Sequence, residues 1–230
     1  MSNKVEAQTH GSHDSVPRHR RGMLIVVSSP SGGGKSSLIR QVLKYVPDVG
    51  YSVSYTTRAP RPGEVHGRDY FFVSVEEFVA MQKEGKFLEW AWVHNNAYGT
   101  EAEQVESEEA EGRDVILEID VKGAENVRRL IKDAVLIFVL PPSYEVLRER
   151  LKARGSELPN DRKLRLTNAR HEVEEYLKFD YVIINDNADR AARQLASIVY
   201  AERARRERQE EAAKAVLETF VPNPKIDSEA

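Results

Sequence analysis

The chain has 230 residues, 40% hydrophobic and 31% charged, enough apolar content for one packed domain with embedded segments. Its 34 Lys and Arg nearly cancel 37 Asp and Glu, which argues against a nucleic-acid partner. It lacks cysteine, which excludes disulfides and thiolate metal sites and fits a reducing cytoplasm, and no apolar run nears the roughly 18 residues of a membrane span.

Residues 1–21 are polar, carry three His and contain no apolar stretch, so a disordered extension is expected rather than a secretory signal. Met23 to Ser28 is a short β-branched run, as a strand buried on both faces requires. A Gly-rich turn leads into apolar residues at helical spacing from Lys35 to Tyr45, stopped by Pro47. Tyr51 to Thr100 mixes strand-like pieces and aromatics with a Pro60-Arg61-Pro62-Gly63 turn. One helix lies within it, Ser74 to Lys83, with a capping box (Ser74, Glu77) and a Gly85 stop. Apolar runs return at Val115–Ile119, Val135–Leu140 and Tyr181–Ile184, separated by helical stretches. Ala153 to Arg165 is polar and Arg-rich, and Pro159 is expected to interrupt a helix there. From about Ala201 a charged helix with Glu202–Arg206 and Arg203–Glu207 pairs is expected, fading after Phe220.

Strand and helix thus alternate, which predicts an α/β fold with a parallel sheet core and helices on both faces. The core spans about residues 22–202 and the charged helical tail residues 203–230. The two irregular segments become an insertion over about residues 54–100 and a small lid over about 153–165. Insertions near the carboxyl ends of parallel strands are where such sheets hold ligands.

Ser29-Pro30-Ser31-Gly32-Gly33-Gly34-Lys35-Ser36 stands between the first strand and the first helix. Glycines let backbone N–H groups approach phosphate oxygens, and the helix N-terminus adds partial positive charge. Lys35 suits the β- and γ-phosphates of a nucleotide, and the Ser36 hydroxyl suits Mg²⁺. Ser29 departs from the usual first glycine, but serine can make this turn without positive φ. A further carboxylate is expected near the metal. Asp120 closes an apolar strand as such an acid would, and Glu118 shares its side of the strand.

Two arginines, Arg58 and Arg61, are held by turn prolines and suit a phosphate dianion. With Ser54, Tyr70-Phe71-Phe72, Phe87-Leu88-Glu89-Trp90 and Tyr98-Gly99-Thr100, this stretch resembles the guanylate kinase family. The likeness runs on through Leu117–Asp120 with Gly123, Pro141-Pro142-Ser143, Arg150–Gly155 and Ile184-Asn185-Asp186. It covers about Gly22 to Glu202, and its motifs stand in the family's order.

The resemblance implies a P-loop NTPase-type fold, a cytoplasmic location, and transfer of the ATP γ-phosphoryl group to GMP with Mg²⁺. Carried over residue by residue, Arg58, Arg61, Tyr70 and Tyr98 would hold the GMP phosphate. Ser54, Glu89 and Thr100 would read guanine, and Asp120 would lie on the GMP side. Arg154 and Arg165 would close over the transferring group with Lys35 and Arg61, Arg150 would assist, and Asn185 and Asp186 would lie near adenine. Ser156 to Asp161 departs from the family's acidic, Thr-containing lid. Two alternatives share this fold: an inactive guanylate-kinase-like peptide-binding module, and a kinase for another small phosphate ester. No motif specifies an oligomeric state.

Overall fold

The computed structural model describes residues 20–93, 95–153 and 159–220, with residues 159–164 in backbone only. In chain order its elements are β1 (Leu24–Ser28), α1 (Lys35–Val42), β2 (Val49–Ser52), β3 (Tyr55–Thr56), β4 (Phe71–Phe72) and α2 (Val75–Lys83). They continue with β5 (Phe87–Val93), β6 (Asn96–Glu101), α3 (Ala102–Ala110), β7 (Asp114–Glu118), α4 (Val121–Leu130) and β8 (Val135–Leu140). Then follow α5 (Tyr144–Ala153), α6 (Pro159–Glu172), β9 (Tyr181–Ile184), α7 (Ala188–Arg203) and α8 (Glu210–Glu218).

The core sheet has five parallel strands in the order β2-β7-β1-β8-β9. Successive strand side chains point to opposite faces, so the apolar runs feed two separate cores. Met23, Ile25 and Val27 pack against Leu38, Ile39 and Val42 of α1 and against Leu195 and Val199 of α7. Leu24 and Val26 pack with Val105 of α3 and with Ala124 and Val127 of α4. Helices cover both faces, as expected of this fold class. β2 was not foreseen: Val49-Gly50-Tyr51-Ser52 carries little apolar signal, yet pairs in register with Asp114–Leu117 of β7.

The insertion forms a second sheet of four short strands in the order β4-β3-β6-β5. Its core is aromatic: Phe78 of α2 is buried and stacks on Phe87, 4.5 Å between ring centres. Tyr55 stacks on Phe71 at 4.7 Å. The Ser74–Glu77 capping box on α2 is present with both of its bonds.

Two expectations are corrected. Pro159 does not interrupt a helix but starts α6, where its missing N–H and fixed φ cost nothing. The tail is not one helix: α7 ends at Arg203, a 3-10 turn covers Arg206–Arg208, and α8 follows. The expected Glu202–Arg206 and Arg203–Glu207 pairs give way to bonds with the foot of the sheet. Glu202 is buried and accepts from Tyr181 Oη at 2.5 Å. Arg203 Nε reaches the buried Asp114 at 2.7 Å, and its Nη2 donates to the carbonyls of Pro47 and Asp48. A buried carboxylate is a stronger attractor than an exposed one a turn away. Arg20 joins the same carboxylate at 2.5 Å and Arg21 pairs with Glu109, so ordered contacts begin before residue 22. Residues 1–19 of the proposed extension and residues 221–230 of the tail lie outside the described residues.

Candidate active site

β1 ends at Ser28, and the chain turns at once into the phosphate loop. Gly32 and Gly34 sit at φ 92° and 95°, where any other residue would be strained. Gly33 N–H donates to the Pro30 carbonyl at 2.9 Å, and a Cβ at Gly33 would lie 2.7 Å from that of Ser29. Ser29 itself is buried and donates Oγ to the Pro30 carbonyl. Among the described residues only Asp48 and Asn95 combine a side chain with positive φ, so Ser29 makes the turn without strain. Lys35 and Ser36 open α1, whose first turn holds no acid to offset the positive end of the helix dipole.

The loop is braced from behind. Asn185, buried at the end of β9, donates Nδ2 to the Gly33 carbonyl at 3.1 Å. Arg150 of α5 donates to the same carbonyl at 3.2 Å and to the Asn185 carbonyl at 2.8 Å. Asp186 points elsewhere, exposed and ion-paired with Arg190 of α7. Of the pair expected near adenine, the structure brings only Asn185 to the loop.

In the second sheet, β5 and β6 place Glu89 opposite Thr100, with a register shift between Phe87 and Glu89. Both residues are buried, and Thr100 Oγ1 donates to Glu89 Oε1 at 2.7 Å. Burial pushes the Glu89 carboxyl up to about 7; the Thr100 hydroxyl opposes this and the Asp120 charge adds to it. A Cβ at Gly123 would stand 3.0 Å from Glu89 Oε2, so the start of α4 closes against this carboxylate. Ser54 is buried, its carbonyl accepting from Phe71 N–H.

Arg58 is held on three sides. Its Nη2 donates to both Glu64 oxygens at 3.0 and 2.9 Å, and Nη1 donates to the Ala59 carbonyl at 2.7 Å. The guanidinium lies 5.4 Å from the centre of the Tyr70 ring. Glu64 also accepts the Arg61 N–H at 2.8 Å, so one carboxylate holds the Arg58 guanidinium and the Arg61 backbone. Tyr70 meets Tyr98 edge-on at 6.1 Å. Burial and the Glu118 charge raise the Tyr70 hydroxyl well above the usual phenol range, so it is a donor at neutral pH.

The two acids on the central strand separate. Glu118 Oε1 accepts from Ser36 Oγ at 2.6 Å, and Tyr51 Oη lies 3.4 Å from Oε2. Asp120 instead caps α4, accepting from Gly123 N–H at 2.9 Å. The carboxylate beside Ser36 is therefore Glu118; Asp120 is committed to the helix start near Glu89.

α6 also reaches the loop. Arg165 Nη1 donates to Ser31 Oγ at 3.3 Å, and Ser31 N–H donates to Glu172 Oε2 at 3.0 Å. Arg154 lies outside the described residues. Glu64 and Glu172 were missed in the sequence. An acid three positions after Arg61 in a turn was a readable signal for the first; the second sits in a polar helix with no marker.

The loop is thus tied through Ser36 to Glu118, Glu118 faces Tyr51 and the Tyr70 hydroxyl beneath the Arg58 guanidinium, and Glu89 with Thr100 closes against the start of α4. A family model for guanylate kinase matches residues 21–202. The chain is 49% identical over 199 residues to the guanylate kinase of Polaromonas sp., covering 86% of this chain and 95% of that one. It is 52% identical over 180 residues to the guanylate kinase of Rubrobacter xylanophilus, covering 78% and 94%. A crystal structure of guanylate kinase from Anaplasma phagocytophilum superposes with a TM-score of 0.71 at 34% identity, covering 82% of this chain and 90% of that one. The chain belongs to the guanylate kinase family.

Proposed function

We infer that this enzyme transfers the γ-phosphoryl group of ATP to GMP, giving ADP and GDP. Family membership supports the reaction, and the buried Glu89–Thr100 pair is the observation that carries the choice of acceptor. Once ionised, a buried carboxylate can accept both N1–H and the N2 amine of guanine, a donor pair adenine lacks. Adenine there would leave buried groups unpaired, at about 1–3 kcal/mol each.

No protein general base is required, because the second pKa of a phosphate ester is about 6 and the acceptor is largely dianionic at neutral pH. An acceptor oxygen attacks the γ-phosphorus, the bond to the bridging β–γ oxygen breaks, and ADP leaves with that electron pair. The protein's task is to bring two polyanions into line and cancel their repulsion. Arg58 and Arg61, with the Tyr70 and Tyr98 hydroxyls, grip the acceptor phosphate; Lys35, the loop N–H groups other than those of Ser31 and Gly33, and the α1 dipole grip the donor. Arg165, and Arg154 by its place in the motif, supply charge to the group in transit. Ser36 and Glu118 are hard oxygen donors that fit Mg²⁺, which would neutralise the β- and γ-phosphates when bound. Asn185 braces the loop from the adenine side, and the insertion and lid close on the substrates to exclude water.

Glu89→Gln tests the assignment. The GMP KM should rise by about tenfold or more, the worth of a charge-assisted hydrogen bond, while the ATP KM stays within about twofold. Equal changes for both substrates would remove Glu89 from guanine recognition.

A further inference from the structure

We propose that Glu172 is a positioning residue that fastens the lid helix to the phosphate loop and so sets the reach of Arg165. The proposal rests on the reading above that Arg165 serves the transferring phosphoryl group.

α6 meets the loop through contacts on one face. Arg165 and Glu172 lie about two turns apart, hence on the same side of the helix. Both converge on one residue: Arg165 donates to the Ser31 hydroxyl at 3.3 Å and Glu172 accepts the Ser31 N–H at 3.0 Å. Between them, Leu166 and Ala169 pack on Leu147 and Leu151 of α5. Those leucines crowd the next loop residue, since a Cβ at Gly32 would lie 3.0 Å from Leu147 Cδ1 and 3.1 Å from Leu151 Cδ2. The α5–α6 pair therefore abuts the loop at Gly32 and is tied to it at Ser31.

Packing alone lets a helix slide or rotate along its apolar seam. A charge-assisted bond to a main-chain N–H does not, because it fixes the carboxylate against a rigid turn. Glu172 ends α6, so pinning it there fixes the register of the preceding two turns and the position of Arg165. Glu172 need not touch substrate to do this; it acts through Arg165.

The experiment is steady-state kinetics of the full chain with Glu172→Ala, Glu172→Gln and Glu172→Asp, and of Glu172→Ala combined with Arg165→Ala. Glu172→Ala should lower kcat by roughly 10- to 100-fold, the loss expected when a positioned group moves by about 1 Å, with the GMP KM within about twofold. Glu172→Gln, whose amide oxygen still accepts from Ser31 N–H, should recover most of the rate. Glu172→Asp, one methylene shorter, should lose about as much as the alanine variant and covers the case in which alanine prevents folding. In the Arg165→Ala background, Glu172→Ala should cost no more than about twofold, because its effect passes through the missing arginine. Wild-type kcat in the alanine or aspartate variant, fully additive losses, or no rescue by glutamine would overturn the proposal. So would a lower ATP KM in Glu172→Gln, which would make the carboxylate a competitor of the phosphates. A wild-type rate in Arg165→Ala alone would instead remove the role of Arg165 itself, a separate failure.

Discussion

The Ser36 hydroxyl donates to Glu118 Oε1 over 2.6 Å, joining the first turn of α1 to the end of β7. Asp120, two residues on, is occupied as the N-cap of α4. The two acids therefore separate: Asp120 caps a helix, and Glu118 stands beside Ser36, where the proposed reading puts Mg²⁺. Glu118→Gln should raise the Mg²⁺ concentration for half-maximal rate by about tenfold or more, as loss of a ligand or its neighbour does. Asp120→Ala should leave that concentration near the wild-type value while lowering stability by about 1 kcal/mol, the usual cost of a lost cap. Magnesium titrations of the rate and denaturant unfolding separate the two.

Glu89 predicts a pH dependence of GMP binding. Its carboxyl is raised from 4.5 to about 7 in the free protein, so it holds a proton across much of that window while the unfolded chain does not. Stability without GMP should therefore fall as pH rises from about 5 through 7, since the folded state binds the extra proton. GMP requires the ionised form, so its affinity should rise over the same range and level off above it. Calorimetric titrations from pH 5.5 to 8.5 check this, with Glu89→Gln as the control. That variant should keep only the titration of the phosphate itself, near pH 6.

Arg58 is poised by Glu64 and by the Tyr70 ring. Arg58→Ala should raise the GMP KM by about 10- to 100-fold, the worth of a charge-assisted bond, with little change for ATP. An unchanged GMP KM would move this guanidinium off the acceptor phosphate.

Asp114 is fully buried and ties Arg20, Arg203 and the Met23 N–H together at the foot of the sheet, far from the phosphate loop along β1. Asp114→Ala should destabilise the fold by about 3 kcal/mol, because it strands partly buried guanidinium groups. The rate per folded molecule should hold, as read from unfolding curves and active-site titration.

The sequence made some of this plain and hid the rest for physical reasons. Strands buried on both faces must be apolar throughout, so β1, β7 and β8 stood out; the edge strand β9 is apolar as well although Val182 and Ile184 are exposed, whereas β2, with Gly50 and Ser52, gave little signal. The phosphate loop was readable because glycines at positive φ are needed there. Pro159 misled because proline forbids a helix interior but favours a helix start, and sequence alone does not distinguish the two. The sequence favours Asp120 over Glu118 as the acid near Ser36 because Asp120 closes the apolar run, but Glu118 stands there and Asp120 caps α4, a choice that depends on where the strand ends. Glu202 and Arg203 read as surface charges, but their partners, Tyr181 and Asp114, are distant in the chain.

The most direct test is one coupled assay of ADP production, with ATP and Mg²⁺ offered GMP, dGMP, AMP, UMP and CMP in turn. A strong rate with GMP and, with AMP, a kcat/KM lower by at least about 100-fold, as expected where buried guanine-binding groups go unpaired, is the predicted result. Equal rates with AMP or a pyrimidine nucleotide, or no turnover of GMP, would contradict it.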